Sequence, residues 1–296
     1  MNSKNLKLLQ DMEIPAILKG IGIERQMTDL LVYDSLNHAS GFLPQKPFRS
    51  RHFSVIIIIK GILNLKVNLF EYHLTERDII IIPPSAIREM DWEQGQAHFI
   101  SLLFTPDFLR TSGILDKYLG IANFMKEGLI PYSKANQADL KVLAQLAEII
   151  KGLMDHETEP GNDLEVIRNL FKATLLKVQQ YYNQMETDHE LSGTIIYKFT
   201  RLLSENYFSR REVSFYSEKL HIHEKYLSQV LKKKTGKTAR QYITEMIILE
   251  AKVLLGDRSL SIKQIADLLN FENPFHFSRF FKQYGGMPPT QYRKGL

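Results

Sequence analysis

Ser261-Ile-Lys-Gln-Ile-Ala-Asp-Leu-Leu-Asn-Phe-Glu-Asn-Pro-Phe-His-Phe-Ser-Arg-Phe-Phe-Lys282 decides how this chain is read, because its pattern occurs twice. Lys225-Tyr-Leu-Ser-Gln-Val-Leu-Lys232 lies over Phe275-His-Phe-Ser-Arg-Phe-Phe-Lys282 at an offset of 50 residues, and Gly236 lies over Gly286 at the same offset. Gln241-Tyr242 likewise lies over Gln291-Tyr292. Upstream the offset is 49, with Val213, Tyr216, Ser217, Leu220 and Ile222 over Ile262, Ile265, Ala266, Leu269 and Phe271. Matches on both sides of a one-residue slip describe one structural unit used twice, with turns that differ by one residue.

Each unit has the period of a helix, a tight turn and a second helix. Ser261 is placed to cap a helix whose apolar stripe is Ile262, Ile265, Ala266 and Leu269. Small Ala266 allows the next helix to approach closely, and Asn270 stands where the turn needs a residue tolerant of positive φ. Asn273 is placed as the next N-cap, with Pro274 at the first helical position, where a missing N–H costs nothing. Phe277, Phe280 and Phe281 then face inward and leave Phe275, His276, Arg279 and Lys282 outward. In the first unit Leu227, Val230 and Leu231 point in, leaving Lys225, Ser228, Gln229 and Lys232 outward.

Those outward residues suit DNA. Arg donates two bonds to guanine, Gln pairs with adenine, and Lys neutralises phosphate. The plain alternative is a helical repeat with a solvated face. Charge distribution separates the two readings in part. From Glu190 onward there are 18 Lys+Arg and 10 Asp+Glu, a surplus of +8, whereas residues 1–189 carry 20 basic and 23 acidic residues, or −3. A basic C-terminal third on a mildly acidic body fits a nucleic-acid-binding domain beside a domain with another task.

The signature Ser261 to Lys282, followed by Gly286-Met-Pro-Pro-Thr-Gln-Tyr-Arg293, resembles that of AraC-type (AraC/XylS) transcription regulators. Tyr226 to Gly236 and Glu250-Ala-Lys-Val-Leu-Leu255 resemble its first half, and the likeness spans about residues 195–294. It implies two helix-turn-helix subdomains joined by a long helix, about Ala239 to Leu255. The helices near 224–234 and 274–284 would enter the major groove. By motif position, the base contacts fall on Lys225, Ser228 and Gln229 in the first helix and on Phe275 and Arg279 in the second. The chain departs from the family in three places. Ile247 stands where an arginine is usual, Asn270 stands where glycine is usual, and Pro274-Phe275 is more apolar than in many members.

Residues 27–104 read as short strands. Ser54 to Lys60 and Asp78 to Pro83 are β-branched runs, Ile62 to Leu69 alternates with period two, and Gly61, Asn68 and Pro83-Pro84 punctuate them. Spaced so closely, they suggest a small barrel or sandwich. Two amphipathic helices follow, about Asn136–Met154 and Asp163–Met185, with Glu159-Pro-Gly161 as breaker, and Glu186 to Glu190 reads as a linker. This resembles the family's plan of a cupin-like sensor followed by dimerising helices. The expected fold is therefore α+β: a cupin-like domain over 1–105, a helical dimerisation hairpin and linker over 106–189, and an all-α DNA-binding domain over 190–296.

Composition excludes several chemistries. Without cysteine there is no disulfide, thiolate catalysis or cysteine-ligated zinc. No apolar run approaches the roughly 18 residues of a membrane span, and Met1-Asn2-Ser3-Lys4 leads into no signal-like segment. No phosphate-binding glycine loop, serine elbow or zincin helix is present, so neither an enzyme nor a cofactor is expected. His52, His73 and His98 could hold a metal only if they converged; with no acid near His52, none is expected. Arg49, Arg51 and His52, just before a strand, are candidates for an anionic ligand, set against ordinary surface arginines. Trp92 and the 196–208 helix (Ile196, Phe199, Leu202, Leu203) read as packing. The expectation is a cytoplasmic, homodimeric, sequence-specific binder of double-stranded DNA, modulated by a small ligand. The alternative is a constitutive DNA binder whose barrel serves only assembly.

Overall fold

The computed structural model describes residues 13–25, 27–37, 46–91, 95–114, 132–155, 162–186 and 195–295. The 159–161 breaker, Trp92 and most of the 186–190 linker lie outside them. The N-terminal part contains α1 (Ile14–Gly20) and strands β1 (Leu30–Asp34), β2 (Phe48–Arg49), β3 (Phe53–Val67), β4 (Phe70–Thr75), β5 (Asp78–Ile82), β6 (Ile87–Asp91), β7 (Ala97–Phe104) and β8 (Tyr132–Lys134). Every described strand pairing is antiparallel.

β3 explains the architecture. Gly61 does not end a strand, as the sequence reading expects, but lies inside one of 15 residues. The register shifts between Ile58 and Lys60, and Gly61 takes φ +84°, so close to β7 that a Cβ would overlap the Gln96 carbonyl. Only glycine has both the dihedral freedom and the small volume for this. Beyond this irregularity β3 changes sheets. Ser54–Ile57 pair with β5 and β7, whereas Asn64–Val67 pair with β4 and β6. One sheet therefore runs β1-β7-β3-β5-β8, the other runs β4-β3-β6-β2, and they share β3.

The two halves of β3 show why their sequences differ. Ile56 and Ile58 face the other sheet along with Leu65, Tyr72, Ile80 and Phe99. Val55 and Ile57 face the helical hairpin along with Ile79, Leu102 and Phe104. A strand buried on both faces reads as a continuous apolar run. The second half has one face in the core, so Leu63, Leu65 and Val67 alternate with exposed or half-buried residues. Leu69, expected on the same stripe, lies past the strand end and packs against the C-terminal domain instead.

After α2 (Pro106–Thr111), α3 (Gln137–Asp155) and α4 (Asn162–Glu186) form the expected hairpin. Their stripes, Leu143, Ala147 and Ile150 on α3 and Ile167, Phe171, Leu175 and Val178 on α4, are buried against the sheet of the same chain. Each of these side chains larger than alanine contributes roughly 1.5–3 kcal/mol. Tyr182 fixes the contact, its hydroxyl accepting from Ile81 N at 2.9 Å and facing Ile79 O at 3.2 Å. The apolar stripes of the expected dimerisation hairpin are thus covered from within the chain. Among the described residues, Val142, Ile149, Val166 and Leu176 are the large apolar residues that remain exposed on the hairpin.

The C-terminal part is all helical: α5 (Ile195–Asn206), α6 (Val213–Lys219), α7 (Glu224–Thr235), α8 (Ala239–Gly256), α9 (Ile262–Leu268), α10 (Pro274–Gly285) and α11 (Pro289–Lys294). It has two cores, and α8 serves both. Met246, Ile247, Leu249 and Val253 join the first, whereas Ile248, Ala251, Leu254 and Leu255 join the second. A helix apolar all round is a buried helix. Ile247 lies inside the first core, which accounts for an aliphatic residue at that position.

Candidate nucleic-acid interface

The two helix-turn-helix units match in detail. Both turns hinge on a non-glycine residue in the left-handed region, His221 at φ 54° and Asn270 at φ 58°. The bonds around them correspond: His221 N and Ile222 N reach Glu218 O and Ser217 O, and Asn270 N and Phe271 N reach Asp267 O and Ala266 O. Buried Ser217 and Ala266 provide the small contact surface. Both second helices end on glycines of positive φ, Gly236 and Gly286. Ser261 caps α9 in a capping box with Gln264, and Thr238 does the same for α8 with Gln241.

On α7 and α10 the burial sequence is the same, position for position, from Lys225 to Thr235 and from Phe275 to Gly285. Leu227 and Leu231, like Phe277 and Phe281, are buried, while Val230 and Phe280 are half-buried. Lys225, Gln229 and Lys232 on α7, and Phe275, His276, Arg279 and Lys282 on α10, are exposed, and Ser228 is half-buried. Phe275 stands 82% exposed, far more than burial-driven packing leaves a phenyl ring. The half-buried Asn273 spends its side-chain oxygen on the helix start, accepting from Phe275 N at 3.0 Å and His276 N at 2.9 Å. His276 Nδ1 lies 3.0 Å from Glu272 Oε2. The predicted set therefore forms two exposed strips, with Asn273 serving as a cap.

Sequence reading missed two arginines that hold these units. Arg211 donates to the carbonyls of Leu269 and, at 3.2 Å, Asn270, and its guanidinium lies 3.9 Å from the Phe271 ring centroid. It thus ties the start of the first unit to the turn of the second. Burial lowers its pKa, partly opposed by Glu212. Arg293 donates to the carbonyls of Leu255, Leu260 and Asp257, closing the end of α8. Charge pattern alone does not distinguish such clamps from groove-facing arginines.

The N-terminal domain seats on this body away from both strips. Ile87 enters the first core, Phe70 meets Tyr242 at 6.2 Å between ring centroids, and Leu69 and Phe70 approach α5 and α8. At the centre lies a buried polar group. Arg49 pairs with Glu250 of α8 and donates to Tyr207 Oη at 3.1 Å, and Tyr207 Oη donates to Glu250 Oε2 at 2.7 Å. Burial opposes the charged guanidinium most strongly, but Glu250 and Tyr207 together outweigh it and raise the Arg49 pKa. Burial and then the Glu250 charge push the Tyr207 hydroxyl well above its ordinary value. The signal in the sequence was a single acid in the apolar run Met246 to Leu255.

The three residues proposed for a ligand separate. Arg49 faces α8, Arg51 is exposed with Glu13 at 3.4 Å, and His52 is buried between the sheets. Burial, then the Arg88 charge, lowers the His52 pKa to about 2. His73 lies 2.8 Å from Asn64 and His98 3.2 Å from Asp34, so the three histidines do not converge. Among the described residues no cluster of three His, Asp or Glu could hold a metal, and no helix is long and apolar enough to cross a membrane.

Residues 216–295 match the helix-turn-helix domain family. The uncharacterized HTH-type transcriptional regulator YisR of Bacillus subtilis is 30% identical over 150 residues, 50% of this chain and 51% of that protein. The Msm operon regulatory protein of Streptococcus mutans is 24% identical over 252 residues, 83% of this chain and 85% of that protein. Among solved structures, the C-terminal domain of the response regulator yesN from Fusobacterium nucleatum is 33% identical, covering 32% of this chain and 93% of that one, with a TM-score of 0.30. The chain thus spans about half the length of the first of these curated relatives.

Proposed function

We propose that the chain is an AraC-type regulator that reads two short DNA boxes per chain, one with α7 and one with α10, a reading supported by the match of residues 216–295 to the helix-turn-helix domain family. The observation that carries this reading is the identical burial of the two second helices, which leaves Lys225, Gln229 and Lys232 outward on one and Arg279 and Lys282 outward on the other. Gln229 and Arg279 are the base readers, assisted by Lys225, Ser228 and Phe275, and Lys232 and Lys282 engage phosphates. Phe275 suits contact with a thymine methyl. The 18 residues of α8 span about 27 Å at about 1.5 Å each. With the width of a subdomain added, the boxes lie about one helical turn, or roughly 10 base pairs, apart.

The sheet domain acts as a cupin-like sensor in the cytoplasm, and two chains associate through the outer hairpin surface around Val142, Ile149 and Val166. The reading is supported by the exposed apolar residues there and by an N-terminal domain that docks without covering either strip. Nothing in this reading requires catalysis.

Footprinting of the full chain on genomic fragments it retrieves tests the proposal. Two protected boxes about one turn apart are expected. Arg279→Ala should relax one box at a cost of about 1–3 kcal/mol, and Gln229→Ala should relax the other. Protection confined to half a turn, or both substitutions shifting preference at the same base pair, would refute it.

A further inference from the structure

Arg88, at the second position of β6, is 3% exposed and lines a cavity between the two sheets together with Phe48, His52, Ile56, Met90 and Phe99. Its guanidinium donates to Ser54 Oγ at 2.7 Å and to the carbonyls of His52, Pro83 and, at 3.5 Å, Ile82. Those acceptors are all neutral. Among the described residues no carboxylate pairs with Arg88, and burial alone lowers its pKa to about 9. Two buried polar atoms of these lining residues, Arg88 Nε and His52 Nδ1, have no hydrogen-bond partner among the described residues. Buried charges are ordinarily paired. Here the pairing charge is missing, and the remaining wall is almost wholly apolar.

We propose that this cavity binds a small organic monocarboxylate with an apolar tail, its carboxylate facing Arg88 and His52 and its tail lying against Ile56, Met90 and Phe99. The inference rests on the sensor reading of the sheet domain. The cavity measures about 40 Å³, room for about three waters. That suits a short-chain acid of the size of acetate or propanoate, about four or five heavy atoms.

Strand pairing gives such a ligand a route to the DNA domain. Phe48 is registered opposite Arg88, and Arg49 opposite Ile87. Successive residues of a strand point to opposite faces. Phe48 and Arg88 therefore line the cavity, while Arg49 and Ile87 on the reverse face engage Glu250 and the first helix-turn-helix core. A carboxylate that draws Arg88 inward displaces the same two-stranded ribbon that holds α8.

Calorimetric titration of the full chain with acetate and propanoate, with propan-1-ol as uncharged counterpart, tests this. The acids should bind saturably at submillimolar concentration, at least tenfold more tightly than the alcohol. Arg88→Met should weaken the acids at least tenfold. Ser101→Leu, which fills the cavity and leaves the charge in place, should abolish binding and covers the case in which Arg88→Met fails to fold. Equal affinity for acid and alcohol, no acid binding at tens of millimolar, or acid binding unchanged by Ser101→Leu overturns the inference. Retention of genomic DNA is measured on the same preparations. A chain that binds DNA but no acid loses only this inference, whereas one that binds acid but no DNA refutes the regulator reading instead.

Discussion

Replacing Arg49 by methionine tests whether the sheet domain is fastened to α8 by charge. The substitution keeps an apolar stem of similar length and removes the guanidinium. It leaves Glu250, which is fully buried, with Tyr207 Oη as its hydrogen-bond partner among the described residues. Removing one member of a buried ion pair costs about 3–5 kcal/mol, because the remaining charge is desolvated and unpaired. For 296 residues the unfolding entropy is about 0.6 kcal/mol/K, so the midpoint should fall by about 5–8 °C. The strained chain has one escape, which is to undock the domains and hydrate Glu250. Scanning calorimetry would then show two transitions in place of one. Arg49→Met/Glu250→Met removes both charges and should recover at least half of the loss, leaving the Tyr207 hydroxyl, worth about 1 kcal/mol, without its acceptor. An Arg49→Met protein that melts in a single transition within about 1 °C of the parent would refute the reasoning, as would a double variant no more stable than the single one.

His52 makes stability depend on pH. Its folded pKa of about 2 lies below the ordinary 6.5, so between these values the unfolded chain binds a proton that the folded chain does not, and stability falls as pH falls below 6.5. From pH 6.5 to 5 the loss is about 2 kcal/mol; His52→Gln should flatten this part of the denaturation profile, and a parallel profile would count against a buried neutral imidazole. Asn270 at φ 58° should accept glycine at little cost, while Asn270→Val should lose about 1–2 kcal/mol in urea titration; equal stability of the two variants would show that the turn relaxes. DNA affinity should fall steeply with salt, with a log–log slope of about −5 if about 6 phosphates are neutralised per chain. A nearly flat salt dependence in filter binding would argue against lysine-rich strips facing phosphate.

What the amino-acid order determines by itself is whatever local periodicity and backbone chemistry can write. The 49- and 50-residue repeat, the caps at Ser261 and Asn273, the left-handed turn at Asn270 and the inward positions Leu227, Leu231, Phe277 and Phe281 all follow from neighbours within a turn or two of helix. These properties belong to single helices and turns, so the exposed strips of α7 and α10 were legible before any fold was known. Tertiary structure decided everything that depends on what lies across a face. Gly61 looks like a strand end, but it lets one long strand serve two sheets, because the approach of Gln96 is set 35 residues away. The stripes of α3 and α4 state that something must cover them, and only the packed chain shows that its own sheet does. Arg49, Arg51 and His52 are close in sequence and end on three different surfaces, because strand alternation and the bend between β2 and β3 separate them. Arg88 carried no local signal at all. Its unpaired charge is defined by the absence of an acid among residues brought together from distant strands, and no reading of neighbours along the chain contains that information.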